Sequence, residues 1–258
     1  MQPPAQSSFY SWNLVAHAPI ALFFLLGSLF VDKRPLSKDS LLANERAVKA
    51  GFPRVVVGFM VSYQHLTTCT HLLATMYLAA RLAGLSGLAA AAQAMLLPAA
   101  SIVGIGWTVL FNWSPSPALK PPWTMLPRAE FPKGARGLEV ADLCTRRPSL
   151  TPFMGMFIML QMMHVAIPLL PWVDIYLYAS PPTLAFGTEV ALALGYTFAY
   201  LGWSLGVCWR ARGKPPYPVL EAVYKEGNAP LFYGIFIAGG ILISAAGYHA
   251  RGGVLFPR

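Results

Sequence analysis

The chain has 258 residues, of which 56% are hydrophobic and only 11% charged, whereas a soluble domain carries about 25% charged residues. A single water-soluble globule is therefore excluded, and an integral membrane protein is expected. The net charge of +9 does not mark a nucleic-acid partner, because the lysines and arginines lie between apolar runs and form no basic face with interleaved aromatics.

Residues 1–8 are uncharged and lack the arginine-rich amphipathic pattern of a mitochondrial presequence. The first apolar run, 13–31, ends at Asp32-Lys33-Arg34 with no basic segment before it. It reads as a membrane helix, not a cleaved signal. After a basic loop over 32–54, the second run, 55–82, carries His65-Leu66-Thr67-Thr68-Cys69-Thr70-His71. A break near Gly84–Gly87 precedes the third run, 88–112, which is alanine-rich and holds Gln93 and Pro98.

The proline- and charge-rich loop 113–150 is long for a connection without structure, so it is expected to be disordered or packed on something. The fourth run, 152–178, contains FMGMFIMLQMMHVAIPLLPW with His164 near its middle. The turn Ala179-Ser180-Pro181-Pro182 leads to the fifth run, 183–209, and the basic loop 210–229 leads to the sixth, 230–249. The expected fold is one all-α membrane domain over 1–258, a bundle of six transmembrane helices.

Of the 19 lysines and arginines, all but Arg81, Arg251 and Arg258 fall in the loops after the first, third and fifth runs. By the positive-inside rule, both termini then share the less basic side. Cys69, Cys144 and Cys208 show no CxxC spacing, which argues against a disulfide framework or a structural zinc site.

Titratable groups in hydrocarbon are costly, and those retained usually face the bundle interior. Thr67 and His164 each lie about twelve residues past the basic-side start of their run, roughly 18 Å deep at 1.5 Å per residue. At equal depth, a hydroxyl beside an imidazole is the minimum pair for nucleophilic acyl transfer, the imidazole taking the proton as the oxygen attacks a carbonyl. The same threonine also suits a bond to the carbonyl one turn back, and a lone histidine also suits a structural role.

His71, four residues from Thr67, shares its helix face and is a candidate base or interhelical donor. His65, two residues away, points elsewhere. No ligand spacing joins these histidines, so neither metal nor haem nor any other cofactor is expected. Glu189 is expected to be interfacial or hydrogen-bonded. The methionines at 154, 156, 159, 162 and 163 read as flexible packing that suits an apolar substrate.

These residues resemble the androgen-induced family of six-span membrane hydrolases, which act on fatty-acid esters of hydroxy fatty acids through an intramembrane threonine and histidine. His65-Leu66-Thr67-Thr68 resembles the family's aromatic-Leu-Thr-Phe element, and Gln161-Met162-Met163-His164 its His-x-Met-His element, with Gln161 in place of the first histidine. Val103-Gly104-Ile105-Gly106-Trp107 is similar to the tryptophan segment. Ala199-Tyr200-Leu201-Gly202-Trp203, Gly213 and Tyr217-Pro218-Val219-Leu220-Glu221 are similar to the aromatic fifth helix and its exit. The resemblance covers about Lys49 to His249. It implies Thr67 as nucleophile and His164 as base. Gln161, Thr68, His71, Trp107 and Trp203 are then the candidates for substrate or oxyanion contacts.

The expected function is hydrolysis of lipid esters, with membrane lipids and a lipid ester as partners. The alternative is a non-catalytic subunit of a large membrane complex, such as a respiratory or ATP-synthase assembly, with other subunits and structural lipid as partners. A transporter or lipid-binding module ranks last, since no paired broken helices are visible. The endoplasmic reticulum and the mitochondrial inner membrane both fit.

Overall fold

The computed structural model describes residues 4–30, 38–109, 161–178 and 181–253, with isolated positions between 139 and 160. Apart from those positions, the predicted loop 113–150 and the start of the fourth run lie outside the described residues. Among the described residues all regular structure is helical. The helices are α1 (Pro4–Leu29), α2 (Lys38–Lys49), α3 (Arg54–Tyr63), α4 (Leu66–Leu82) and α5 (Ser86–Trp107), then α6 (Met162–Tyr178), α7 (Phe186–Arg212), α8 (Pro218–Lys225) and α9 (Ala229–Ala250). Of these, α1, α5, α7 and α9 are long and apolar enough to cross a membrane, while α3 and α6 are shorter apolar helices.

Three features differ from the sequence expectation. The first helix begins at Pro4, well before residue 13. The basic loops over 32–54 and 210–229 are not plain loops but contain α2 and α8. The run over 55–82 is two helices, because the chain turns extended at His65 (φ −96°, ψ 134°).

The central element is α5. Its most apolar window is 67% buried, against 17% for α1, 11% for α7 and 6% for α9, and it touches α4, α6, α7 and α9. Ala89, Ala92, Leu96, Ala100 and Val103 recur three or four residues apart and pack on Tyr77, Leu78 and Ile167. Small side chains at this spacing let neighbouring backbones approach closely. Gly58 serves the same end between α1 and α3, where a Cβ would stand 1.8 Å from the Ser28 carbonyl oxygen. Outward-facing residues such as Trp12, Phe23, Leu231, Ile235 and Leu242 are apolar and exposed, as a lipid-facing surface requires.

Polar groups concentrate at the two ends of the bundle and in its middle. At one end Asp174 of α6 accepts from Tyr10, Tyr77, Arg81 and Gln93. Glu189 is 2% exposed and holds Arg251 at 2.5 Å. It is a buried ion-paired side chain, not an interfacial one. At the opposite, basic end, α2 docks on the close of α7 through Arg212 Nε to Asn44 Oδ1 at 3.2 Å and Lys214 Nζ to Ser40 Oγ at 3.3 Å.

Candidate active site

The break between α3 and α4 builds the site. Interrupting a helix releases backbone carbonyls and N–H groups that must find partners when buried. Three successive carbonyls do. Ser62 O accepts from Thr68 Oγ1 at 2.7 Å, Tyr63 O from Trp203 Nε1 at 3.0 Å, and Gln64 O from Tyr200 OH at 3.0 Å and Ser204 Oγ at 2.8 Å. One amide is also met: Leu66 N–H donates to Tyr217 OH at 2.7 Å. The N–H groups of Thr67 and Thr68, next along α4, have no acceptor among the described residues.

Three of the predicted site residues are thereby placed. Trp203 braces the break through its indole N–H. The Thr68 hydroxyl is spent on Ser62 O and His65 O, so only its backbone N–H remains to donate. Thr67 is 5% exposed, and its hydroxyl lies beside that of Tyr217. Tyr217 stands outside the spanning segments, and burial pushes its phenol up to about 12, so it stays a neutral hydroxyl. Replacing Tyr217 with phenylalanine is expected to leave Leu66 N–H unpaired and to cost about 1–3 kcal/mol, read as a lower melting temperature of the detergent-solubilised protein.

The break is also held electrostatically. Arg212 Nη1 donates to Gln64 Oε1 at 2.5 Å, which turns the Gln64 amide nitrogen toward His65 Nε2 at 3.1 Å. Since that nitrogen can only donate, His65 carries its proton on Nδ1. Its ring packs edge-on against Tyr217, with centroids 5.1 Å apart.

His164 sits in a π-helical turn, Met162–Ala166, at the start of α6. This widened turn faces α5 at Gly104, where a Cβ would meet Pro168 Cγ at 2.5 Å and the His164 carbonyl at 3.3 Å. The imidazole stacks on Trp107, with centroids 3.8 Å apart and 17° between planes. Its Nδ1 lies 2.7 Å from the Leu160 carbonyl. A carbonyl only accepts, so Nδ1 carries the proton, and Nε2 presents a lone pair with no hydrogen-bond partner among the described residues. Gln161 Oε1 accepts from Trp107 Nε1 at 3.1 Å, so this glutamine positions the tryptophan that covers His164.

His71 is committed at both nitrogens. Its Nε2 faces the Met163 carbonyl at 3.1 Å and must carry a proton, leaving Nδ1 to accept from His17 Nδ1 at 3.0 Å. That makes His71 an interhelical donor joining α1, α4 and α6, with no lone pair left for a base. His17 was not singled out in the sequence; a titratable residue in an apolar run was the available signal. No group of three or more potential metal ligands occurs among the described residues. Thr67 and His164 make no hydrogen bond to each other. Compared with known proteins, the chain matches no protein family, no curated protein and no solved structure.

Proposed function

We propose that the protein is an integral-membrane hydrolase of lipid esters, crossing the bilayer six times with α3 and α4 as one broken span and both termini on the less basic side. The observation that carries this reading is the asymmetry at the helix break. The carbonyls of Ser62, Tyr63 and Gln64 are occupied by side chains, while two adjacent amides beside the Thr67 hydroxyl have no acceptor among the described residues. Unspent buried donors are costly, and amides at a helix N-terminus favour negative charge.

In this reading Thr67 Oγ1 attacks the ester carbonyl carbon, and His164 Nε2 takes the hydroxyl proton. The carbonyl oxygen becomes an oxyanion received by the Thr67 and Thr68 N–H groups. The carbon–oxygen bond to the alcohol breaks, and the alcohol leaves with the proton from His164. Water, deprotonated by the same imidazole, then attacks the acyl-threonine, releasing the carboxylic acid and restoring the hydroxyl. Substrate chains lie among exposed apolar residues such as Met162 and Val165.

The test is trapping of the acyl-enzyme. Purified protein incubated with an activated fatty-acyl ester is expected to gain one acyl mass, mapped to the peptide containing Thr67. One feature favours the second reading, a non-catalytic membrane-complex subunit: Thr67 and His164 are not hydrogen-bonded and Trp107 covers one imidazole face. No acylation of Thr67, with co-purifying subunits in stoichiometric amount, establishes that alternative.

A further inference from the structure

The basic end of the bundle carries a second feature, separate from the helix break. A groove of about 660 Å³ opens between α2, the close of α7 and α8, with Arg46, Arg210, Leu205, Gly206, Trp209 and Tyr224 in its walls. Its volume falls within the range of small-molecule sites, about 300–1,000 Å³. No acidic residue lines it.

Both guanidiniums in the groove lack a counterion among the described residues. Neither Arg46 nor Arg210 makes a side-chain hydrogen bond or ion pair among the described residues. Three neighbouring cations are engaged: Arg212 on Gln64 and Asn44, Lys214 on Ser40, Lys225 on Glu221. The Arg46 guanidinium lies against Gly213, where a Cβ would come within 2.3 Å of Nη1. Gly213 has φ +66° at the close of α7, a conformation that also favours glycine.

The wall between the arginines is apolar and aromatic. Leu205 and Trp209 lie four residues apart on one face of α7, and Trp209 packs edge-on against Tyr224 with centroids 4.8 Å apart. Gly206 leaves open space, since a Cβ there meets nothing within 4 Å. Guanidiniums pair bidentately with phosphate oxygens, and tryptophan and tyrosine collect at the headgroup level of a bilayer. Two unpaired arginines above an apolar trough, at the polar end of membrane-length helices, match one ligand chemistry. We propose that this groove binds an anionic phospholipid of the basic-side leaflet, its phosphate between Arg46 and Arg210 and an acyl chain along Leu205 and Gly206.

The test uses the full chain in a neutral detergent, titrated with phosphatidylglycerol, phosphatidylcholine or inorganic phosphate and read by native mass spectrometry. Phosphatidylglycerol is expected to stay bound at the lowest concentration, and the Arg46→Gln/Arg210→Gln variant to need at least about tenfold more, the equivalent of one lost charged contact. Gly206→Phe keeps both charges and fills the trough. It is expected to lose the lipid to a similar extent, with helical content and elution volume unchanged. Should both variants hold phosphatidylglycerol as the parent does, or phosphatidylcholine bind equally well, the proposal is overturned. Displacement of the lipid by millimolar inorganic phosphate overturns it too, in favour of a free-phosphate site.

Discussion

Thr67→Ala is expected to lower lipid-ester hydrolysis by at least about 10³-fold while leaving the bundle folded, because the substitution removes the attacking oxygen and no interhelical bond of comparable weight. The Thr67 hydroxyl lies beside Tyr217 but is not what satisfies the broken backbone; that task falls to Thr68, Tyr200, Trp203, Ser204 and the Tyr217 acceptor. Helical content and melting temperature are thus expected to stay near the parent values.

His164→Gln tests the second half of the pair. Glutamine retains a donor for the Leu160 carbonyl and a planar group beneath Trp107, but offers no basic nitrogen. A loss of about 10²–10⁴-fold is expected, the usual range for a positioned general base. Acyl release from fatty-acyl p-nitrophenyl esters in mixed micelles measures both variants. Full activity in Thr67→Ala would remove Thr67 as the nucleophile, and full activity in His164→Gln would remove the base.

Much of the helical layout was legible because it is local. Apolar runs of membrane length need only composition, and the all-helical class and the long helices α1, α5, α7 and α9 follow from it. The glycine that closes α4, Gly84 at φ +71°, was likewise visible as a break. The helix break at Gln64–His65 was not. Neither proline nor glycine marks the interruption; the run's one glycine, Gly58, lies six residues before it. Its determinants lie more than a hundred positions away in the chain: the donors Tyr200, Trp203 and Ser204, and the acceptor Tyr217. The Tyr200 and Trp203 segment was noticed for its resemblance, but its task, bracing α4 open beside Thr67, exists only in three dimensions.

Depth along the helix was also too coarse a guide for the histidines. His65, His71 and His164 share a similar depth in the sequence reading, and their partners separate them. His71 is sealed between Met163 and His17, His65 lies on Tyr217, and His164 alone of the three combines a carbonyl-anchored Nδ1 with a free Nε2. Asp174 was missed although a signal existed. An aspartate within an apolar run implies a buried partner, and Arg81, one of three basic residues outside the basic loops, was a candidate.

Asp174 carries the second large expected effect. It is 1% exposed and collects four donors from three helices: Tyr10 OH of α1 at 2.7 Å, Tyr77 OH and Arg81 Nη2 (3.3 Å) of α4, and Gln93 Nε2 of α5 at 3.2 Å. Asp174→Leu strands these donors at once. Removing one partner of a buried ion pair costs about 3–5 kcal/mol; Arg81, with its side chain 20% exposed, recovers part of that by hydration, so about 3 kcal/mol is expected. The Asp174→Leu/Arg81→Met double variant removes both charges and is expected to be more stable than Asp174→Leu alone, a coupling that a double-mutant cycle of melting curves measures. If the two substitutions simply add, Asp174 acts through the tyrosines and Gln93, and the ion pair contributes nothing. The consequence reaches the candidate site. Asp174 fixes the rotation of α6 ten residues beyond His164, about 15 Å along the helix, so Asp174→Asn, which keeps the shape, is expected to lower the hydrolytic turnover more than the affinity for the ester.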